Sequence, residues 1–446
     1  MLNKNKFIEL FNSGLTYRYP FVDWQLLSHR SGAKYPSLFK EVHVKGRKYV
    51  DELIQPLLCP IKLKMKEVEQ LEGLAKLWPK IITRQLDLAQ AGWLTDNSLE
   101  IYGLDGILSG EEEDCLLDAG YNQPLSPFIR LDLIRTTQGF KVVDINSTRP
   151  AGVGDNIILS EAYGRSGDHH QFCLKEEFVS TFKAAYLSWS NQNNYQRSAK
   201  IAILLDSVAG DWHNFVNLKK VLLDQSWVEG VDIFTGWFDF IGLGYNCLLR
   251  GRIKQGHSWY NDLLQLPRHK ICLISPLGRR FIGNKKWFFA WQHFLLGSLF
   301  KEDLGFDYQL LVDSCCEVGL LRSGGLIMFT QETKHFSQLI RQEWILKSPA
   351  GSSGRGIIIG EFVSQKNWNS IFSQPEMIGS VVQKYEPVKE KVVLADKAGK
   401  PSEAELFTKY GAFLFNGRLA GLEVMARGTP LVHGARNTYL STVIFD

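Results

Sequence analysis

"RLDLIRTTQGFKVVDIN", residues 130–146, decides how this chain is read. Two runs alternate apolar and polar residues around a polar break that contains Gly139, the pattern of a strand, a tight turn and a second strand. Alternation puts Ile129, Leu131, Leu133, Val143 and Ile145 on one face and Arg130, Asp132, Asp144 and Asn146 on the other. A turn centred near Gln138 would pair Asp132 with Asp144 across the ladder, and Arg130 with Asn146. Like charges directly opposite each other destabilise a sheet. A divalent cation between them would reverse that sign, and two carboxylates with an amide oxygen are the hard ligands that magnesium takes. The alternative is an amphipathic hairpin whose polar face lies in water.

The surrounding chain of 446 residues is too long for one ordinary core, so two or three domains are expected. A formal charge of +4, with Lys and Arg interspersed among acids, supports neither a nucleic-acid nor a membrane partner. The start, MLNKNKFIEL, lacks the apolar core of a signal peptide, and WFFAWQHFLLGSLF is too short and too polar to span a bilayer. A cytoplasmic protein is expected. The seven cysteines include no CxxC pair, so buried thiols are expected rather than a zinc site or a disulfide framework.

Residues 1–127 read as mainly helical, as in MKEVEQLEGLAKLWPKIITRQLDLAQAGWL, where apolar residues recur every three or four positions. They form a candidate cap or substrate region. Over residues 198–280 the strand AKIAILLD, the helical NFVNLKKVLLDQ, the strand-like GVDIFTG and the strand KICLISP follow in order. This predicts a Rossmann-like α/β unit, without the GxGxxG that a dinucleotide would need. NKKWFFAWQHFLLGSLF predicts one long helix, and strands dominate from there to the end.

A second constellation lies in EWILKSPAGSSGRGIIIGEFV: a strand up to Lys347, a loop of small residues, and a β-branched strand. Glycine and serine let backbone N–H groups approach a phosphate closely, while Lys347 would supply charge from the strand before the loop. The loop lacks the Gly-Lys-Ser/Thr ending and following helix of a Walker A motif. Strand–loop–strand suggests instead a flap over a triphosphate, as in protein kinases and ATP-grasp enzymes, and the HRD and DFG motifs of a kinase do not occur. VVQKYEPV reads as a strand that kinks at Pro387, an edge that could offer backbone hydrogen bonds to adenine with Glu386 near the ribose. AFLFNGRLAGLEVMARG predicts a hairpin on Asn416–Gly417, with Arg427 at the end of its second strand. The plain alternatives are a glycine-rich hairpin loop, an ordinary strand end and a surface arginine.

In these motifs and their order the chain resembles the glutathionylspermidine synthase-like family, whose ATP-grasp domain is circularly permuted. The segment RLDLIRTTQGFKVVDINSTRPAG carries the Arg-x-Asp strand and the following acidic-x-Asn strand. Asn284–Lys285, the loop from Lys347 to Gly356, QKYEP and GAFLFNGRLAGLEVMARG match in turn, covering residues 128 to roughly 160 and 270 to the end. The resemblance implies an α/β (α+β) chain: a permuted ATP-grasp fold divided between residues 128–197 and 281–446, the Rossmann-like unit between them, and the helical region in front. It implies that Asp132, Asp144 and Asn146 bind Mg2+ and that Arg130 stabilises a transferring phosphoryl group. Lys285 and Lys347 would contact ATP phosphates, Gly351, Ser352, Ser353 and Gly354 would close over them, and Gln383, Lys384, Tyr385 and Glu386 would line the adenine site. Arg427 would lie near the γ-phosphate or an acyl phosphate. By position alone, Ser147, Thr148 and Arg149 could meet a substrate carboxylate. Asp144 stands where the family has glutamate, one methylene longer, and no counterpart of the amidase domain found in some members is present.

The implied activity is that of an ATP-dependent carboxylate–amine ligase, acting on small-molecule or peptide substrates through an acyl phosphate. Phosphoryl transfer to a hydroxyl, and nucleotide binding without catalysis, are the alternatives.

Overall fold

A computed structural model describes residues 42–44, 47–49, 54–91, 107, 128–147, 151–164, 172–205, 212–234, 242–246, 271–274, 280–330, 332–348, 356–386, 388–395, 401–432 and 438–445. The first strands are β1 (Val42–Val44), β2 (Arg47–Tyr49), β3 (Ile54–Pro56), β4 (Ile61–Leu63), β5 (Phe128–Thr136) and β6 (Gly139–Asn146). The next are β7 (Ala199–Leu204), β8 (Val228–Phe234), β9 (Gly242–Asn246) and β10 (Ile271–Ile274). Then come β11 (Val318–Leu321), β12 (Leu326–Met328), β13 (Thr333–His335), β14 (Trp344–Lys347), β15 (Ile357–Ile359) and β16 (Val381–Lys384). The last are β17 (Lys389–Ala395), β18 (Pro401–Phe415), β19 (Arg418–Arg427) and β20 (Thr438–Phe445). The helices are α1 (Met65–Gln90), α2 (Val153–Gly164), α3 (Leu174–Gln192), α4 (Trp212–Leu223), α5 (Lys286–Gln292), α6 (Phe294–Leu304), α7 (Tyr308–Asp313) and α8 (Gln365–Ile371).

The hairpin β5–β6 forms at one end of the largest sheet, in the order β3-β20-β19-β18-β5-β6, with β17 also on β18 and β4 also on β20. Its register is the expected one at the polar positions, with Arg130 opposite Asn146 and Asp132 opposite Asp144. A bulge follows, so that Leu133 faces Val142 and Val143 is the extra residue. Strict alternation had put Val143 on the apolar face. The bulge sends Val142 there instead, fully buried with Leu131, Leu133 and Phe140.

The β5 side of the polar face is out of water, while Asp144 and Asn146 on β6 are partly exposed. Arg130 and Asp132 are only 8% and 4% exposed, which removes the solvated-hairpin alternative. On that face Phe128 packs against Phe415 at a centroid distance of 4.7 Å and against Phe178 and Phe182 of α3. These aromatics form one core with the four-stranded parallel sheet β10-β9-β7-β8 and the helix α4 that links β7 to β8. The opposite face of the hairpin shares a core with α1, α5 and α6 through Trp78, Trp287, Trp291 and Phe300.

The third sheet, β13-β12-β11-β16-β14-β15, is antiparallel and covers one face with Trp368 of α8 and Phe372 just after it. Two expectations change here. The long helix expected after Asn284 is broken at His293, whose backbone is extended (ψ 132°) and whose ring accepts from the Leu296 N–H as the cap of α6. In the front region the described residues hold α1 together with four short strands. Of these β3 and β4 belong to the main sheet, and α1 belongs to its core. Among the described residues no helix is long and apolar enough to cross a membrane.

Candidate active site

Asp132 and Asp144 face each other among four cations. Arg130 donates from Nε to Asp132 Oδ1 at 2.8 Å and from a terminal nitrogen to Oδ2 at 3.4 Å. Lys409, from β18, donates to Oδ2 at 2.7 Å. Lys285 approaches Asp144 Oδ1 at 3.4 Å. Lys347 donates to the carbonyl of the bulged Val143 at 2.7 Å, so the extra residue in the hairpin is what offers this sheet-to-sheet contact an acceptor.

Arg130 also holds Ala151 O at 2.7 Å and Glu423 of β19 at 3.2 Å. Glu423 is 4% exposed and pairs through the ladder with Gly411, which in turn faces Asp132. Two glycines make the room. A Cβ on Gly411 would lie 2.7 Å from Arg130 Cδ, and one on Gly152, whose φ is +93°, would lie 2.3 Å from Glu423 Oε1. A third, Gly283, lets the chain before Lys285 run against β6, since a Cβ there would lie 2.6 Å from Ile145 O.

The electrostatics follow from burial and pairing. Burial alone would raise the Asp132 pKa, but Arg130 and Lys409 outweigh it and hold it at about 2. Burial opposes the charge on Arg130 as well, and the Asp132 and Glu423 carboxylates overcome it and hold its pKa above the ordinary value. For Glu423 burial wins and raises the pKa despite Arg130 and Lys409. Burial brings Lys347 down to about 8, against the pull of Asp144, with Lys285 adding to the fall. Four cations against three carboxylates leave a formal excess of one positive charge.

This donor set does not fit the expected magnesium site. Asp132 Oδ1 already accepts from Arg130 and from the Asn146 side-chain amide at 3.2 Å, and Oδ2 from Lys409 and Arg130. Among the described residues no cluster of three His, Cys, Asp or Glu side chains is placed to hold a metal. The facing aspartates are instead neutralised by protein cations.

The other expected residues divide. Ser147 is buried at the end of the hairpin. Thr148, Arg149, Gly351, Ser352, Ser353, Gly354 and Pro387 lie outside the described residues. The base of the loop is closed by Ser348 N–H to Gly356 O at 2.9 Å. Gln383 lies on the same sheet face as Lys347, since Lys347 pairs with Val381 and Ile345 with Gln383. It is 1% exposed, and both polar atoms of its amide lack a partner, as does the Tyr385 hydroxyl. A buried amide without partners is costly, and a ligand base edge would relieve it. Lys384 turns to the opposite face, bonded to Glu343 at 2.5 Å and over the Trp344 ring at 5.1 Å. Glu386 is exposed, and its charge is felt at Cys316, beside Lys347. Arg427 ends β19 opposite Phe407, two same-face steps from Glu423, and donates to Leu431 O at 3.2 Å.

Sequence reading missed Lys409 and Glu423. Glu423 carried a signal, being the one charge in the apolar run LAGLEVMA.

Compared with solved structures, the chain is similar to a glutathione synthetase-like effector from Globodera pallida in its apo form, with a TM-score of 0.55 and 11% identity, over 95% of this chain and 98% of that one. The likeness is one of fold. It extends over nearly the whole of both chains. A protein assigned as a gamma-glutamylcysteine synthetase from Methylobacillus flagellatus KT matches at a TM-score of 0.37 with 12% identity, over 80% of this chain and 82% of that one. No family model and no curated protein matches the chain.

Proposed function

We propose that this chain is an ATP-dependent ligase that joins a carboxylate to an amine. The observation that carries the reading is the contact between Lys347 and the bulged hairpin. It joins the two segments that sequence reading had singled out separately, in a cluster of net positive formal charge, with the orphaned Gln383 amide two residues along the same sheet face. A triphosphate suits the cations and an adenine edge suits Gln383. The ATP-grasp fold in circularly permuted order is part of the proposal, supported by a carboxylate-bearing hairpin that precedes β14 in the chain yet pairs with β18 after it.

In this reading the substrate carboxylate attacks the γ-phosphorus. A carboxylate–phosphorus bond forms, the bond to the bridging oxygen breaks, and ADP leaves. The amine nitrogen then attacks the acyl carbon, phosphate departs with the electron pair, and the nitrogen loses a proton. The protein holds the reactants in line and offsets developing charge with Arg130, Lys285 and Lys347. Small-molecule or peptide substrates and a cytoplasmic setting belong to the same proposal.

Hydroxylamine tests it without knowing the amine, because it traps an acyl phosphate as a hydroxamate. With ATP and a panel of carboxylates, ADP release should accelerate for at least one acid and yield its hydroxamate. A phosphorylated alcohol as the product would point to a phosphotransferase. Nucleotide binding with no turnover for any acceptor would leave a non-catalytic binder, a reading that the occupied Asp132 carboxylate favours over the other alternative.

A further inference from the structure

We infer that Lys409 is a built-in cation at Asp132, standing where a divalent metal would stand, so that the site holds a polyphosphate on protein charges with no metal ion there. The inference rests on the polyphosphate part of the function proposed above. Three observations carry it. Both oxygens of Asp132 are in use, with Lys409 Nζ 2.7 Å from Oδ2 and Arg130 on both, so a metal could bind only by displacing a buried cation. Lys409 reaches Asp132 from β18 beside Gly411, whose missing side chain is the reason Arg130 fits there as well.

The third observation is the charge. The cluster of Arg130, Lys409, Lys285 and Lys347 with Asp132, Asp144 and Glu423 is already net positive. Adding two positive charges to it in a low-dielectric setting is unfavourable, whereas adding an anion is favourable. The ammonium of Lys409 is a compact point charge with three donors, suited to bridging Asp132 and a phosphate oxygen in place of a cation.

The test is thermal unfolding of the full chain with inorganic tripolyphosphate and, separately, with a non-hydrolysable ATP analogue, each in EDTA and in magnesium at constant ionic strength. The native chain should gain the same midpoint shift in both buffers. Lys409→Met should lose at least tenfold in affinity for both ligands in EDTA and regain it in magnesium. If the native chain gains stability only with magnesium, this inference is overturned while nucleotide binding stands. If tripolyphosphate stabilises in EDTA and the ATP analogue never does, the nucleotide reading fails and the metal-free anion site stands. No shift with either ligand in either buffer overturns both, and Lys409→Met binding like the native chain in EDTA overturns the role of Lys409.

Discussion

Asp132 concentrates the chemistry of the site, because one buried carboxylate is shared by Arg130, Lys409 and Asn146. Replacing it with asparagine keeps the shape, strands Lys409 and leaves Arg130 with Glu423 alone, a change that typically costs about 3–5 kcal/mol. Urea unfolding of Asp132→Asn at pH 7 should show a loss of that order. The folded pKa of Asp132 is depressed to about 2, so its contribution is fully present above the ordinary carboxylate value and is lost as pH falls through about 4 toward 2. The difference between native chain and variant should therefore shrink over that acid window. Lys347 gives a second pH dependence. With a pKa of about 8 in the free protein, it loses its charge as pH rises through 8, and affinity for a polyphosphate should fall between pH 7 and 9. Lys347→Met should bind weakly and without that slope.

At the scale of elements the hairpin shows what a sequence can and cannot reveal. The facing of Asp132 and Asp144 was legible, since alternation and a Gly139-containing turn fix the register near the turn. The bulge was not, because Val142 and Val143 are the same residue type and a period of two cannot say which of them is the extra one. The partners of Lys409 and Glu423 were out of reach for a different reason, since both approach Arg130 and Asp132 from strands more than 270 residues away, although the lone charge of Glu423 in an apolar run was visible. The break at His293 was hidden by the apolar runs on both sides of Gln292–His293. The β18–β19 turn was legible and is strictly built, with Asn416 at φ 48° and Gly417 at φ 78°, and a Cβ on Gly417 would lie 2.8 Å from Pro79 Cγ of α1. Gly417→Ala should cost about 1 kcal/mol or more through that conformation, and guanidinium unfolding would measure it.

The molecule as a whole depends on strands remote in sequence. β3, β4 and β17–β20 complete the sheet that carries the hairpin, and the antiparallel sheet brings Lys347 onto it. The α/β class and the parallel unit were legible from the order of strand and helix patterns. The joining of β3, β4 and α1 to the central core was not, because an amphipathic helix such as α1 does not disclose which sheet it will cover. The assembly brings the cations around Asp132 and Asp144 to the sheet face that carries the unpartnered Gln383 amide, and the proposed ATP would span the two. Isothermal titration of the native chain, Lys347→Ala and Gln383→Leu with a non-hydrolysable ATP analogue tests this most directly. The account predicts binding to the native chain, at least tenfold weaker binding to each variant, and a loss for Gln383→Leu that does not extend to tripolyphosphate. No heat of binding to the native chain, or equal affinity in all three proteins, would contradict it.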